Sequence, residues 1–389
     1  MKFFHLSDLH IGLKLINHDL LTDQKHILTQ IIAKAQERQP DAVIIAGDIY
    51  DKAIPSAEAV SLFDSFITQL HQTIPETEIM LISGNHDSAQ RVNLFRQLLT
   101  SHKIHLIGLP PMKEDEHIAK IILNDAYGPI TFYLLPFVKP SMIKCITGQD
   151  ENGNNLSYDA ALHTLVARET IDQAQRNVLV SHQFYISTGG NVDEIIRCDS
   201  EIITVGNIDA VKGDVLEPFD YAALGHIHKA QKLNGQDCYR YCGTPMACSV
   251  SEADQDKGII EVNLAEKGNI TTSFIPLKPL HPVRRIKGTL KNVLAQASMD
   301  YVSITLTDKK DLDVFDMQDR LREAFPNLLE IKREGQQGVN YQQKITAQDI
   351  LSPFDLCKTF LTGIDDEEEK LLAEIINEIQ QTQGGNDQS

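Results

Sequence analysis

Long apolar runs are absent from this sequence of 389 residues. No run reaches the 18 or more apolar residues that suggest a membrane-spanning helix. The first five residues lead directly into an apolar segment that we interpret as a strand, without the apolar region of a signal peptide. We therefore expect a soluble, cytoplasmic protein.

Cysteine is sparse, and its spacing argues against two kinds of site. The six cysteines, at positions 145, 198, 238, 242, 248 and 357, form no C-x-x-C pair and no zinc-finger pattern. Cys238 and Cys242 would stand roughly 13 Å apart along a strand, too far for a disulfide or a shared ion. We expect reduced, structural thiols, which are usual in the cytosol.

Basic residues are outnumbered by acidic ones. The chain has 36 Lys and Arg against 54 Asp and Glu, giving a net charge of −18, and only residues 281–334 come close to neutrality. Such a chain lacks the basic face that neutralises the phosphates of a nucleic acid. Any affinity for nucleic acid must come mainly from a dimeric arrangement or a partner subunit.

Five short polar segments are the most informative feature that the sequence does contain. Four closely follow apolar runs that we interpret as buried strands (residues 3–6, 42–46, 79–82 and 178–180), and the fifth follows the shorter run 222–224. Residues after the carboxyl ends of such strands share one crevice in an open α/β sheet. The segments are Asp8-Leu9-His10, Gly47-Asp48, Gly84-Asn85-His86-Asp87, Ser181-His182 and Gly225-His226-Ile227-His228.

Two Asp, one Asn and several His in one crevice suit a pair of divalent metal ions. Asp8 and His10 stand two residues apart, so on extended backbone their side chains would point the same way, as would those of His226 and His228. The Asp48 carboxylate can bridge two ions. Paired ions polarise a phosphoryl oxygen and activate water, so the predicted chemistry is phosphoester hydrolysis.

In order and content the five segments resemble the calcineurin-like metallophosphoesterases, whose pattern is D-x-H, G-D, G-N-H-[DE], a later single His and G-H-x-H. The resemblance implies an α/β sandwich of two mixed sheets flanked by helices, followed by a small α+β capping domain and a C-terminal helical tail. It also implies two Mn²⁺ ions per chain, although other divalent metals could serve. The implied ligands are Asp8, His10, Asp48 and His228 for one ion, and Asp48, Asn85, His182 and His226 for the other.

The resemblance gives His86 a catalytic role instead of a ligand role. In the family this histidine faces the scissile phosphate, where it stabilises the transition state or protonates the leaving 3′ oxygen. Asp87 has two open interpretations, orienting His86 or capping a helix. Archaeal and eukaryotic relatives carry a histidine at the position of Asp51, so a supporting role for Asp51 also stays open.

Residues between the segments narrow the resemblance to the SbcD family of bacterial nuclease subunits. They lie in the stretches 4–12, 46–51, 221–231 and 240–245. This implies a manganese-dependent double-strand exonuclease and single-strand or hairpin endonuclease of DNA end processing and repair, associated with the nucleoid. The implied partners are DNA and an SbcC-like SMC-type ATPase, in a heterotetramer that contains a homodimer of this chain.

Two alternatives stay open. One is a phosphatase or cyclic phosphodiesterase of the same superfamily. Protein phosphatases carry G-D-x-x-D-R-G, whose Arg binds the phosphomonoester; here Lys52 takes that position and lacks the bidentate fork, which favours a diester. The other alternative is a non-catalytic docking scaffold, which would not need to retain all seven metal ligands.

The predicted organisation is a nuclease domain (1–280), a capping and DNA-contact domain (281–334), a linker (335–350) and a helical tail (351–389) that binds the ATPase. Within the first domain we predict helices over 23–38 and 56–71, and an irregular loop over 187–220 that covers the cleft. The candidate DNA contacts are Lys52, Arg284, Arg285, Lys287 and Lys291. The candidate partner contacts are Phe354, Phe360, Leu361, Leu372, Ile375, Ile376 and Ile379.

Overall fold

The computed structural model describes residues 1–189, 195–201, 209–308 and 314–334, together with residues 368 and 370–372. Residues 1–334 form one compact unit, and residues 335–389 belong to a second. The residues of the predicted linker, and all the predicted partner contacts except Leu372, lie outside the described residues.

The described strands and helices alternate along most of the chain. The strands are β1 (Lys2–Leu6), β2 (Lys14–Leu15), β3 (His18–Asp19), β4 (Ala42–Ala46), β5 (Glu78–Ile82), β6 (Ile104–Ile107), β7 (Ala119–Asp125), β8 (Gly128–Leu135), β9 (Arg176–His182), β10 (Phe184–Ile186), β11 (Ala210–Lys212), β12 (Tyr221–Gly225), β13 (Gln231–Leu233), β14 (Gln236–Tyr241), β15 (Gly258–Leu264), β16 (Ile270–Pro276), β17 (Val283–Gly288), β18 (Tyr301–Leu306) and β19 (Leu328–Arg333). The helices are α1 (Leu21–Arg38), α2 (Ala57–Thr73), α3 (Ala89–Val92), α4 (Arg96–Thr100), α5 (Lys144–Thr147), α6 (Tyr158–Ala167), α7 (Leu290–Leu294) and α8 (Val314–Ala324).

The first sheet has the order β16-β15-β1-β4-β5-β6, and its four strands β1, β4, β5 and β6 run parallel. β15 pairs antiparallel with both β1 and β16. The two long helices α1 and α2 are the crossovers between its parallel strands, as predicted. The Ser56 hydroxyl caps α2 by accepting a hydrogen bond from the Ala59 backbone N–H.

The second sheet has the order β13-β14-β12-β9-β8-β7 and faces the first. Its strands β8, β9, β12 and β14 are parallel, and an antiparallel strand lies at each edge. Phe3, Ile44 and Met80 of the first sheet share a buried core with Phe132 and Val180 of the second. This arrangement confirms the predicted sandwich of two mixed sheets, and it explains why the strands are apolar on both faces.

A small α+β module follows the sandwich. Its strands β17, β18 and β19 form a parallel sheet, and α7 and α8 share its apolar core. Asp23, buried on α1, joins the module to the sandwich: its carboxylate accepts hydrogen bonds from the Tyr301 hydroxyl, 3.1 Å away, and from the His281 backbone N–H, also 3.1 Å away. The module is therefore attached through a buried charge as well as through the chain.

The predicted loop over 187–220 is only partly irregular. β11 lies within it and pairs in parallel with β10, which precedes it, and a short 3-10 helix occupies Gly213–Leu216. The stretch 209–216 therefore packs beneath the second sheet, where Val211, Val215 and Leu216 are buried. No helix in the described part of the chain combines the length and apolarity needed to cross a bilayer.

Candidate active site

All five polar segments meet at one edge of the sandwich. Asp8 and His10 follow β1, Asp48 follows β4, and Asn85 follows β5 in the first sheet. His182 ends β9, and His226 and His228 follow β12, in the second. The site therefore sits where the carboxyl ends of strands from both sheets converge, so neither sheet alone could build it.

The seven predicted ligands form two adjoining groups that share Asp48, and the Asp8 carboxylate lies within 4.8 Å of ligand atoms in both groups. On one side, Nε2 of His10 lies 3.1 Å from Nε2 of His228 and 3.7 Å from Oδ2 of Asp48. On the other, the Asn85 amide oxygen lies 3.0 Å from Nε2 of His182 and 2.9 Å from Nδ1 of His226. Oδ2 of Asp48 is also 3.3 Å from Nε2 of His182. One carboxylate thus stands between two clusters of donor atoms.

The backbone at several predicted ligands is not extended, contrary to what was expected from strand periodicity. Asp8, His10, Asp48 and His226 have positive φ angles of 54°, 42°, 47° and 94°. They lie in tight turns, where side chains two residues apart do not simply alternate, so the reasoning from strand periodicity was wrong. A non-glycine residue at positive φ costs free energy, and such strain clusters at functional sites.

Three motif glycines make room for the ligands. A Cβ at Gly84 would lie 2.1 Å from Oδ1 of Asp48, and a Cβ at Gly47 would lie 2.2 Å from Nδ1 of His182. A Cβ at Gly225 would lie 1.9 Å from the Ala46 carbonyl oxygen. The glycines of G-D, G-N-H-D and G-H-x-H are therefore needed because side chains and backbone from other turns occupy their Cβ positions.

The donor set fits divalent metal ions. The outer nitrogen of His182, Nδ1, contacts the Ala46 carbonyl oxygen at 2.7 Å, which leaves Nε2 facing Asp48. Two further buried ring nitrogens, Nδ1 of His10 and Nε2 of His226, have no hydrogen-bond partner among the described residues. Buried imidazoles without protein partners, beside two buried carboxylates, are the expected signature of nitrogen and oxygen ligands.

The charges on the buried side chains of the site favour the binding of cations. Burial alone would lower the pKa of His182, but the neighbouring Asp48 carboxylate raises it to about 9. Burial raises the pKa of Asp48, yet the opposing effect of His182 brings it well below its ordinary value. His10 behaves differently, since burial lowers its pKa to about 3. The Asp48 carboxylate therefore stays ionised and attracts cations, while His10 stays neutral and able to ligate.

His86 is held at the rim of this group. Its Nδ1 lies 2.9 Å from the backbone carbonyl oxygen of Asp51, its backbone N–H donates to Oδ1 of Asp48 at 2.8 Å, and its ring packs edge-on against that of His10. Because Nδ1–H donates to a carbonyl, Nε2 is the atom available to meet a substrate.

The Asp87 carboxylate contacts the turn that carries His86 and not the His86 ring itself. Its carboxylate accepts backbone N–H groups of Ile49, Tyr50 and Gly84 at 2.9 to 3.0 Å, so it ties the G-N-H-D turn to the G-D turn. Burial, followed by the nearby Asp48 charge, raises the pKa of Asp87 to about 6. Asp51 contacts the site in two ways: its carbonyl orients His86, and its Oδ1 lies 3.9 Å from Nδ1 of His10.

Two protein-family models match parts of this chain. A family model described as "Calcineurin-like phosphoesterase" matches residues 1–230, more than half of the chain. The chain belongs to the calcineurin-like phosphoesterase family. By family it is a phosphoester hydrolase, and the metal-binding fold of the family agrees with the candidate ligand clusters around Asp8, Asp48 and His228. A second model, SbcD_C, described as "Type 5 capsule protein repressor C-terminal domain", matches residues 279–363.

Among curated proteins, the chain is similar to the SbcD subunit of the nuclease SbcCD from Staphylococcus epidermidis, with 28% identity over 336 residues, covering 85% of this chain and 84% of that protein. Among solved structures, it matches a dimetal phosphatase from Danio rerio (12% identity, TM-score 0.39, 70% of this chain and 98% of that one). It also matches GAP50, the anchor in the inner membrane complex of Plasmodium (12% identity, TM-score 0.42, 85% and 96%).

Sequence reasoning missed the residues that surround His228. Its backbone N–H donates to Glu201 at 2.9 Å, and its Nδ1 faces the Ser200 hydroxyl at 2.8 Å and Glu252 at 3.4 Å. Lys257 donates to Glu252 at 2.5 Å. These residues lie on loops 195–201 and 249–257, outside the phosphoesterase motifs. Two acidic side chains in otherwise unremarkable loops carry no pattern by which sequence could find them.

Three of the five candidate DNA contacts form ion pairs with nearby carboxylates. Arg284 pairs with Asp300 at 2.8 Å, Lys287 pairs with Glu334 at 2.6 Å, and Arg285 pairs with Asp254. Lys52, by contrast, is exposed and lines a cavity of about 380 Å³ together with Asp51. Lys291 is exposed on α7. Of the predicted partner contacts, the described Leu372 is half-buried within a helical stretch.

Proposed function

We propose that this chain is the manganese-dependent nuclease subunit of an SbcCD-type complex. It would act as a double-strand exonuclease and a single-strand or hairpin endonuclease, together with an SbcC-like ATPase, in DNA end processing and repair. The observation that carries the phosphodiesterase part is the convergence of five turns around Asp48. The nuclease part is supported by the similarity to the SbcD subunit of a known nuclease over 85% of the chain.

We assign two metal positions to the two donor groups. Asp8, His10, Asp48 and His228 would hold one ion, and Asp48, Asn85, His182 and His226 the other. Ions bound there would supply Lewis-acid polarisation of the phosphate and a lowered pKa for an attacking water. The protein contributes fixed ligand orientation, because His182 is tied to the Ala46 carbonyl and His226 donates its backbone N–H to Asp8 at 3.0 Å.

His86 would act on the leaving group. With Nδ1–H donated to the Asp51 carbonyl, Nε2 of a protonated ring can hydrogen-bond a phosphate oxygen and pass its proton to the departing 3′ oxygen. Asp87 would keep this ring in position indirectly, since it ties the turn that carries His86 to the turn that carries Asp48. Removal of the ring would therefore slow the chemical step and leave the metal ligands in place.

Lys52 is the preferred phosphate contact among the basic candidates. It lies four residues after Asp48 and borders the same cavity as Lys14 and Asp51. A phosphate next to the scissile one would meet its ammonium group without first breaking an ion pair. Arg284, Arg285 and Lys287 would instead have to exchange a carboxylate for a phosphate, and such exposed pairs are weak enough to permit this exchange.

A second copy of the chain would cover the apolar surface formed by Val60, Phe63, Leu94, Phe95 and Leu98. Phe95 and Leu98 are 73% and 63% exposed, and Leu94 is 58% exposed. Clustered exposure of large apolar side chains marks an interaction surface. The surface adjoins the site, because Tyr50 packs its ring on Phe63 and donates its backbone N–H to Asp87. A symmetric pair would thus place two active sites side by side for one DNA substrate.

The ATPase partner would bind the tail, where we place Phe354, Phe360, Leu361, Leu372, Ile375, Ile376 and Ile379. Such a partner would also supply the positive charge that this chain of net charge −18 lacks. In the full chain, Ile375→Asp should abolish co-elution with the ATPase, whereas Asn377→Asp, which adds the same charge two residues away, should not. Equal loss in both variants would argue against an apolar tail interface.

The substrate class is tested by supplying the purified full chain with Mn²⁺ and either hairpin DNA, linear duplex DNA or p-nitrophenyl phosphate. We expect cleavage of both DNA substrates, abolished by His86→Ala. Activity confined to the small monoester would identify a phosphatase instead. Cleavage undiminished in His86→Ala would trace the activity to a contaminant and leave a non-catalytic scaffold.

A further inference from the structure

His228 is hydrogen-bonded through its backbone and through its outer ring nitrogen. Its backbone N–H donates to Glu201 at 2.9 Å, and its carbonyl oxygen accepts from the Thr244 backbone N–H at 3.1 Å and from Nζ of Lys257 at 2.9 Å. Its Nδ1 points outward to Ser200, and its Nε2 points inward to His10. Four hydrogen bonds therefore fix both the backbone and the outer ring nitrogen of His228.

The hydrogen bond between His228 and Ser200 has a defined donor and acceptor. The Ser200 hydroxyl donates to Oε1 of Glu252 at 2.8 Å, so the oxygen of the same hydroxyl must accept from Nδ1–H of His228, also at 2.8 Å. The direct distance from Nδ1 to Glu252 is longer, 3.4 Å. Ser200 is therefore the main link between the imidazole and the carboxylate.

Glu252 is anchored independently of Ser200. Its Oε2 accepts from Thr244 at 3.0 Å and from Lys257 at 2.5 Å, while Ser249 donates to Oε1 at 3.1 Å. The carboxylate is buried, and the charge of Lys257 balances it. A buried, charge-balanced carboxylate is a fixed acceptor for the Ser200 hydroxyl.

We propose that Ser200 is a positioning residue that connects Glu252 to His228 by two hydrogen bonds, a chain that we call the relay. The relay fixes the ring proton of His228 on Nδ1 and presents the Nε2 lone pair to the metal site. This rests on the proposed function only in treating His228 as a ligand. Partners of this kind raise ligand basicity and hold the ring orientation. Ser200 belongs to loop 195–201, which also supplies Glu201, so the loop is part of the metal site and not merely a cover over the cleft.

Ser249 provides a matched control. Both serines are half-buried and donate to the same oxygen of Glu252, but only Ser200 contacts His228. Ser200→Ala removes the relay, whereas Ser249→Ala removes an equivalent hydrogen bond to the anchor. Any general effect of weakening the Glu252 environment should therefore appear in both variants.

Two measurements on the metal-free full chain test the proposal. Titration calorimetry with Mn²⁺ should show one binding step weakened by about tenfold or more in Ser200→Ala and by less than about twofold in Ser249→Ala. Nitrogen-15 spectra of histidine-labelled protein should show His228 protonated on Nδ1 in the wild type and in Ser249→Ala, and a mixture of tautomers in Ser200→Ala.

The proposal stands only if both readouts separate the two serine variants; identical isotherms or identical tautomers would overturn it. Its failure is distinct from failure of the nuclease assignment. If the wild-type protein binds Mn²⁺ as described but leaves DNA intact, the nuclease assignment is refuted and the proposed role of Ser200 still stands. Wild-type protein that cuts DNA, with no difference between the variants, would refute only the relay.

Discussion

The carbonyl oxygen of Asp51 lies 2.9 Å from Nδ1 of His86. Position 51 therefore acts on the catalytic candidate through its backbone, an interaction that any residue type could provide. The finding also yields a variant pair that separates a side-chain role from a backbone role.

His86→Ala should lower kcat for hairpin DNA by about 10² to 10⁴, the usual contribution of a general acid. Mn²⁺ binding should be unchanged, because His86 is not assigned as a ligand. Asp51→Asn keeps the carbonyl and should retain most activity. Steady-state kinetics and calorimetry on both variants provide the check; an equal loss of kcat in Asp51→Asn would mean that the Asp51 carboxylate itself takes part.

Gly84→Ala should abolish activity by displacing Asp48. The added methyl group would lie 2.1 Å from Oδ1 and 2.4 Å from the backbone nitrogen of Asp48, so the shared carboxylate must move. Gly288→Ala, on the capping module, meets nothing closer than 3.7 Å and should behave as wild type. Mn²⁺ stoichiometry and DNA cleavage should fall together in the first variant only. Normal stoichiometry in Gly84→Ala would contradict the described geometry.

Asp125→Asn should destabilise the sandwich in a pH-dependent way. Asp125 on β7 accepts from the buried Arg176 on β9 at 3.0 Å, and Arg176 also donates to the Ala265 carbonyl beyond β15, so this group joins the two sheets. The hydrogen bond from Arg176 holds the pKa of Asp125 well below its ordinary value of 3.8. We expect a loss of about 2 kcal/mol in the free energy of unfolding at pH 7.

The effect depends on pH because protonation of Asp125 is linked to folding. A carboxyl whose pKa is lower in the folded state contributes stability above its unfolded pKa, and that contribution is lost progressively as pH falls from about 4 through the lower folded-state pKa. The difference in unfolding free energy between wild type and Asp125→Asn, measured by denaturant unfolding, should therefore be full at pH 7 and clearly smaller at about pH 2. Glu37→Gln, in an exposed pair on α1, should leave the unfolding midpoint unchanged at both pH values. A difference that stays constant from pH 7 to about pH 2 would show that the loss is not electrostatic.

Phe95→Glu should convert a dimer into monomers. The substitution places a charge at the most exposed member of the apolar surface, where burial against a second copy would leave it without water. Ile122→Glu, an equally apolar and 59% exposed position on the edge strand β7, should leave the oligomeric state unchanged. Sedimentation equilibrium distinguishes the two. A wild-type chain that is monomeric at micromolar concentration would remove the basis of the proposed homodimer.

Much of the site could be predicted from the sequence, because metal chemistry restricts which residue types are useful. Asp8, Asp48, Asn85 and four histidines were predicted as ligands from the sequence and its family resemblance, and the structure brings all seven side chains together. The apolar runs before them identified the strands, since a strand covered on both faces must be apolar throughout. The crossover helices followed from their spacing and from the Ser56 cap.

The remaining features depend on contacts between distant segments. The positive φ angles of Asp8 and Asp48, the tie from Asp87 to two turns and the Asp51 carbonyl bond to His86 all arise where turns from separate strands are packed together. The relay from His228 through Ser200 to Glu252 spans three loops that are far apart in sequence. By itself, the sequence determined the chemistry of this protein, because ligand types and strand patterns are local. Only the tertiary structure decided how those ligands are oriented, because orientation depends on hydrogen bonds that no local pattern records.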